Sequence, residues 1–381
     1  MVEIDDVKNF DLAIIGAGIV GATTAWLAHV HRPEWHVAVL DRSFPGDGAT
    51  RYSAALDLPF GRNARQRNMV KRSVSFYRDL KAGYSELPIR EIPFVLVVHE
   101  KDIATTVAAF VDASLHVAGA QEWNQVRLQY PDLTLPQGYV AMMGSNARHS
   151  SPVQLTSALI NKASTDGNVQ CWEGAEVQHV ADIPCSQMLS LGDGRRISAK
   201  RVVIATGPWL TCGPGGAFSQ AAGIRIKKVA AMHIDRYPPP DAPAIYFAAE
   251  DAFLLPLQDQ QKLLLSFTVQ QWDCPVEISR LRIDPDDRKL ALSILNRYCP
   301  GLIEHCPGGR VFCDAYSQDR APFVARISTS HNLVVAGACS GSGVRLAPAI
   351  ALEALELSGI SEAQTRTLYE ESTGIRASTH C

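Results

Sequence analysis

The sequence predicts an α/β chain in which a dinucleotide-binding domain on a parallel sheet is interrupted twice by a second, α+β domain with a mostly antiparallel sheet. Three observations carry this. A buried strand pattern, Phe10–Ile15, runs into the turn Gly16-Ala17-Gly18-Ile19-Val20-Gly21 and then a helical stretch. Two further buried patterns, Arg201–Gly207 and Asn332–Gly337, also end at glycine. Between these units lie β-rich blocks. The expected boundaries are 1–85, 149–215 and 326–381 for the nucleotide domain, with 86–148 and 216–325 forming the substrate domain that roofs the site.

Each element has a local reason. Gly16 permits a tight turn, Gly18 lets backbone approach a pyrophosphate, and Gly21 lets the helix pack close to its strand. The helix N-terminus then offers unpaired N–H groups and a positive dipole end to phosphate. Val37–Leu40 reads as the next strand and ends at Asp41, at the roughly 20-residue spacing of an acid that holds a ribose hydroxyl. A loop of small and hydroxyl residues follows, from Arg42 to Ala55. Val70, Val74, Tyr77 and Leu80 recur at helical spacing over Met69–Leu80. Phe94–Val98 and Tyr139–Met143 are strand-like. Ser151, as hydroxyl cap, and Pro152 open a helix over Val153–Ala163.

Val169–Val180, Ile224–Ile234 and Ala244–Phe247 read as β structure. Phe253–Leu257 and Leu263–Val269 form a hairpin around Gln258–Lys262. Asp284, Pro285 and the acids after them start a helix ending near Tyr298. The last unit runs from Gly337 through Gly341, Gly343, Val344, Arg345 and Leu346 to Pro348, with a final helix over Ala349–Leu357. Because parallel strands bind ligands at their carboxyl ends, the three glycine turns converge on one nucleotide site.

Composition narrows the class. A chain of 381 residues exceeds one ordinary domain, and its 46% hydrophobic content supplies substantial cores. A net charge of −3 gives no basic field for nucleic acid. No apolar run reaches membrane-spanning length, and neither end carries a signal peptide or lipidation box. The nine cysteines are scattered without C-x-x-C pairs, so neither a disulfide framework nor a metal site is expected, and a reducing cytoplasm fits.

Four segments in order give a resemblance along nearly the whole chain: Gly16–Gly21, Gly48-Ala49-Thr50-Arg51-Tyr52-Ser53-Ala54, Ala205-Thr206-Gly207-Pro208-Trp209, and Gly337–Pro348. Together they resemble the D-amino-acid oxidase, glycine oxidase and sarcosine oxidase (DAO) family of FAD enzymes. The resemblance implies a Rossmann-like, glutathione-reductase-like FAD domain of the DAO type. It implies FAD with its adenine end at Gly16–Gly21 and Asp41, adenine backbone contact near Val177, and contacts from Arg42 and from Ala49 to Leu56. Thr206, Gly207 and Trp209 join the cofactor site, and the Gly337–Leu346 loop lies beside the isoalloxazine ring. The implied reaction takes hydride from the C–H next to a substrate nitrogen to the flavin, leaving an imine. Oxygen, giving hydrogen peroxide, or another acceptor then reoxidises the flavin.

The resemblance also assigns substrate residues. Arg345 occupies the position of the lysine that holds the carboxylate in sarcosine oxidases, and its planar fork suits that contact. The alternatives for Arg345 are a surface arginine or a flavin-phosphate partner. Asp314 falls where glycine oxidase-like members carry an arginine, so it meets a cationic substrate group or is a solvated loop acid. The oxygen-activating lysine falls near Leu264, with Lys262 two residues earlier. Cys313 lies one position from the cysteine that anchors flavin covalently, and noncovalent FAD is favoured. His233 and Tyr246 lie on strands expected to face the pocket, as proton relays or packed core.

The leading expectation is therefore a cytoplasmic FAD-dependent oxidase of a secondary or cyclic amine, or amino acid, bearing a carboxylate. The alternatives are an FAD amine dehydrogenase with another acceptor, an NAD enzyme sharing the first motif, and a flavoprotein subunit without turnover. The sequence carries no expectation for oligomeric state.

Overall fold

Leu12–Ile15 is buried at every position and lies inside a six-stranded sheet. A strand covered on both faces has no polar side, which is why the sequence there is an unbroken apolar run. The computed structural model describes residues 7–327 and 332–360. The two ends of the chain that were read for targeting signals, and Cys381, lie outside the described residues.

The six strands lie in the order Phe323–Arg326, Leu333–Gly337, Val202–Ile204, Leu12–Ile15, Val37–Leu40 and Val169–Trp172. All but Phe323–Arg326 run parallel. The three glycine-ended strands are thus immediate neighbours, and their turns open along one sheet edge. The helices Ile19–His31, Ala64–Gly83, Pro152–Ala163 and Gly343–Leu357 pack into one apolar layer on one face. A four-stranded sheet, Lys8–Phe10, Arg196–Ala199, Ser186–Leu191 and Val177–Ile183, closes the other.

Three local expectations are corrected. Residues 169–180 form two strands in different sheets, because Gly174 at φ +67° turns the chain between them. Ser151 stands at the cap position of Pro152–Ala163 but its hydroxyl makes no capping bond, so the proline's fixed φ is left to start the helix. The final helix begins at Gly343, six residues before the expected Ala349, and carries Pro348 inside it. By contrast, Asp284 and Asp287 form the expected reciprocal cap of Pro285–Tyr298.

The second sheet has nine strands, antiparallel except where Ala244–Phe247 runs parallel to Ile89–His99. Its register sets the roof of the site. Arg310, Ala231, Ser266, Phe253 and Tyr246 are successive cross-strand partners, so they share one face. At the sheet's far edge Leu56–Asp57 pairs with His149 and Arg148, and the buried Asp57 carboxylate meets the Arg148 guanidinium at 3.0 Å. Among the described residues no helix is long and apolar enough to cross a membrane, and no cluster of side chains forms a metal site.

Candidate cofactor and substrate site

A cleft of about 920 Å³ runs from the glycine turns of the parallel sheet to the cross-strand row of the nine-stranded sheet. Of the residues singled out in the sequence for FAD or substrate, all line it except Ala17, Gly21, Leu346, His233, Lys262, Leu264 and Cys313.

At the nucleotide end the glycines are required. Gly16 has φ +104°, and a Cβ on Gly21 would collide with the Gly16 carbonyl oxygen. Asp41 accepts from the Ala17 amide at 2.6 Å and from the Ser43 amide at 2.8 Å, so its carboxylate is fixed at the cleft wall. Thr50 accepts from the Ile19 amide at 3.0 Å and ties the hydroxyl-rich loop to the first helix. Arg42 lies over the Trp209 ring at 4.1 Å, while Arg51 pairs with Asp47 at 2.8 Å and is largely exposed. The Thr206 hydroxyl lines the cleft, buried and without a partner. A buried orphan hydroxyl, a cradle only glycine fits and an anchored acid suit a dinucleotide with a ribose and a pyrophosphate.

In the middle of the cleft, Asp314 accepts from the amides of Gly341 at 2.7 Å and Ala315 at 2.8 Å. It therefore ties the roof strand Gly308–Tyr316 to the last glycine loop and is not a solvated loop acid. Burial pushes its carboxyl up to about 6, against the pull of the two amides. Cys313 faces the other way. Arg310, Phe312, Asp314 and Tyr316 line the cleft, whereas Val311, Cys313 and Ala315 join the apolar layer behind the strand. Two thiols do line the cleft, the exposed Cys212 and the buried Cys339, and burial holds Cys339 well above the ordinary thiol range.

At the far end, Asp251 sits in a turn at φ +47° and gathers three donors. They are the Tyr246 hydroxyl at 2.9 Å, the Thr268 hydroxyl at 3.3 Å and the Arg62 guanidinium at 2.7 Å. Burial opposes charge on Asp251, but Arg62 and these hydrogen bonds hold its carboxyl below the usual range. Burial, then Asp251, pushes the Tyr246 phenol up. Arg345 reaches this end with three of its five N–H donors engaged. One terminal nitrogen donates to the Phe60 and Leu58 carbonyls, the other to the Ser342 hydroxyl at 2.6 Å. Lys227 lines the cleft with its side chain almost wholly buried.

Two residues lie elsewhere. His233 is on a roof strand but beyond the cleft, its Nε2 buried without a partner; burial, then Arg310 and Lys262, pulls it toward the neutral form. Leu264 is fully buried beside it, and Lys262 does not reach the cleft lining. Sequence reasoning missed Arg62, Lys227, Asp251 and Arg310, all of which line the cleft. They carry no motif: Lys227 and Arg310 come from two neighbouring roof strands, and Arg62 and Asp251 from loops.

The family model for FAD-dependent oxidoreductases of the DAO type matches residues 11–357, and the chain belongs to this family. Its cofactor is therefore FAD, and the FAD-binding Rossmann-like fold with its antiparallel roof is as the sequence predicts. Among solved structures the chain is similar to glycine oxidase from Geobacillus kaustophilus, at 17% identity and TM-score 0.72, covering 93% of this chain and 96% of that one. It is similar to L-proline dehydrogenase from P. horikoshii, at 17% identity and TM-score 0.78, covering 97% and 100%. A third is FAD-bound L-α-glycerophosphate oxidase from Mycoplasma pneumoniae, at 14% identity and TM-score 0.75, covering 92% and 95%. Sequence comparison with curated proteins gave no match.

Proposed function

We propose that this enzyme oxidises the C–N bond of a carboxylate-bearing amine or amino acid, secondary or cyclic. The observation that carries the reading is the cation-lined, aromatic far end of the same cleft that begins at the FAD glycines. The amino-acid and amine chemistry printed in the names of glycine oxidase and L-proline dehydrogenase points the same way.

FAD supplies a two-electron acceptor for hydride from the carbon beside the nitrogen. The chain's own residues do the rest. Phe60 and Phe253 restrict water at the far end, and a dry pocket favours the neutral amine from which hydride leaves. Asp251 fixes the Tyr246 hydroxyl, which thereby presents an oriented oxygen to the substrate nitrogen. The basic lining draws a carboxylate in.

FAD is read as noncovalent, because Cys313, the position the resemblance singles out for a flavin link, faces away from the cleft. The eight cysteines among the described residues are all free, which suits a reducing cytoplasm. An acceptor other than oxygen is the second reading, favoured by Leu264 being buried at the expected lysine position. The test is turnover with carboxylate-bearing amines under air and with an artificial dye, trapping the carbonyl product of imine hydrolysis with a hydrazine. Carbonyl product from an amine supports the reading, and its absence with both acceptors rejects it. Peroxide formed in step with product selects oxygen.

A further inference from the structure

We infer that the substrate carboxylate is received by Lys227 and not by Arg345. The inference rests on the reading of the substrate as a carboxylate-bearing amine.

The argument is one of commitment. Arg345 donates to two backbone carbonyls and the Ser342 hydroxyl, so three of its five N–H donors, and both terminal nitrogens, are committed to protein acceptors. Arg62 is paired with Asp251. Arg310 donates to the Ser53 carbonyl at the opposite end of the cross-strand row from Tyr246. The Lys227 ammonium makes no hydrogen bond or ion pair among the described residues, although the residue is only 3% exposed. Its contacts are the faces of Trp272 and Tyr316, at 5.1 and 5.2 Å from the ammonium.

A buried ammonium without an acid is costly unless something anionic completes its site. The two rings partly meet that need, since their faces attract a cation. They also fix the ammonium, leaving its N–H donors for the cleft that the residue lines. The surrounding charges agree. Arg62 and Arg320 add positive potential around Lys227, with Asp251 the one acid acting on it. Asp314, its register partner on the next strand, spends both oxygens on the amides of Gly341 and Ala315. A carboxylate arriving here gains the free cation first and meets Arg62 at the same end. A lysine offers a compact charge with rotatable donors, so it orients a carboxylate less rigidly than an arginine fork. The substrate can then carry bulk beside its acid group, toward the Tyr316 ring that lines the cleft.

The experiment titrates the FAD-loaded enzyme with benzoate and with uncharged benzamide, reading the visible flavin spectrum. Wild type, Lys227→Met, Lys227→Gln and Lys227→Arg are compared. Benzoate is expected to perturb the wild-type spectrum, with Kd raised at least about tenfold in the Met or Gln variant and restored to within about threefold by Arg. Benzamide is expected to be indifferent to all three substitutions. Equal benzoate affinity in wild type and in the neutral variants overturns the assignment to Lys227 while leaving the substrate reading intact. A wild-type spectrum untouched by benzoate overturns the substrate reading, and the assignment with it.

Discussion

The Tyr77 hydroxyl donates to the Val344 carbonyl at 2.5 Å, and Val344 is the residue four positions before Pro348. Proline has no N–H to return to that carbonyl, so a helix through Pro348 leaves it without a partner. Tyr77 supplies the missing donor from the helix Ala64–Gly83, and Ser73 on the same helix accepts from the Ala349 amide at 3.3 Å. This is why Gly343–Leu357 can start early and carry its first turn to the cleft. Tyr77→Phe removes the donor and leaves a buried carbonyl unpaired. A loss of roughly 1–3 kcal/mol is expected, read as a lower denaturation midpoint at unchanged m-value.

Asp41 holds the first glycine turn through the Ala17 and Ser43 amides while facing the cleft. Asp41→Ala removes a charged acceptor from both the turn and the ribose position. FAD binding is expected to weaken by roughly tenfold or more, from the ~1.5–3 kcal/mol of a charge-assisted hydrogen bond. Fluorescence of released flavin measures it, and wild-type retention would refute the role.

Arg345 is expected to act as an anchor between the Leu58–Phe60 segment and the start of the last helix. Arg345→Ala should therefore lower turnover of carboxylate-bearing and uncharged amines by similar factors and destabilise the fold together. A loss confined to carboxylate substrates would restore the role expected from the family resemblance and count against Lys227.

Asp314 gives a pH dependence with a definite sign. Its folded pKa, about 6, lies above the ordinary 3.8. The folded state thus binds more protons than the unfolded one between these values, and stability falls as pH rises from about 4 through about 6, then levels. Asp314→Asn should abolish that slope, worth roughly 1–2 kcal/mol at a site partly open to the cleft. Chemical denaturation of both proteins at pH 4.5, 5.5 and 7 tests it. Parallel profiles would contradict the buried, charge-disfavouring environment.

The parts legible in the sequence were those in which one short segment must do a local job. Gly16, Gly18 and Gly21 announce a turn, Val202–Ile204 and Leu333–Gly337 announce buried strands, and Asp284 announces a cap. Pro348 misled because its compensation comes from Tyr77, on a different helix, and from nothing in its own segment. Cys313 and Asp314 are adjacent, and only strand alternation decides which one faces the cleft. Lys227 and Asp251 come to one cleft from a strand and a turn, a juxtaposition that leaves no periodic signature. The substrate end was therefore hidden in a chain whose cofactor end was plain.

The most direct test of the central claim is anaerobic mixing of the oxidised, FAD-loaded enzyme with a panel of carboxylate-bearing amines, following visible flavin absorption. Bleaching by a secondary or cyclic amino acid, slowed by deuterium on the carbon beside nitrogen and absent with the matching hydroxy acid, is the predicted result. Bleaching by the hydroxy acid and by no amine would contradict it.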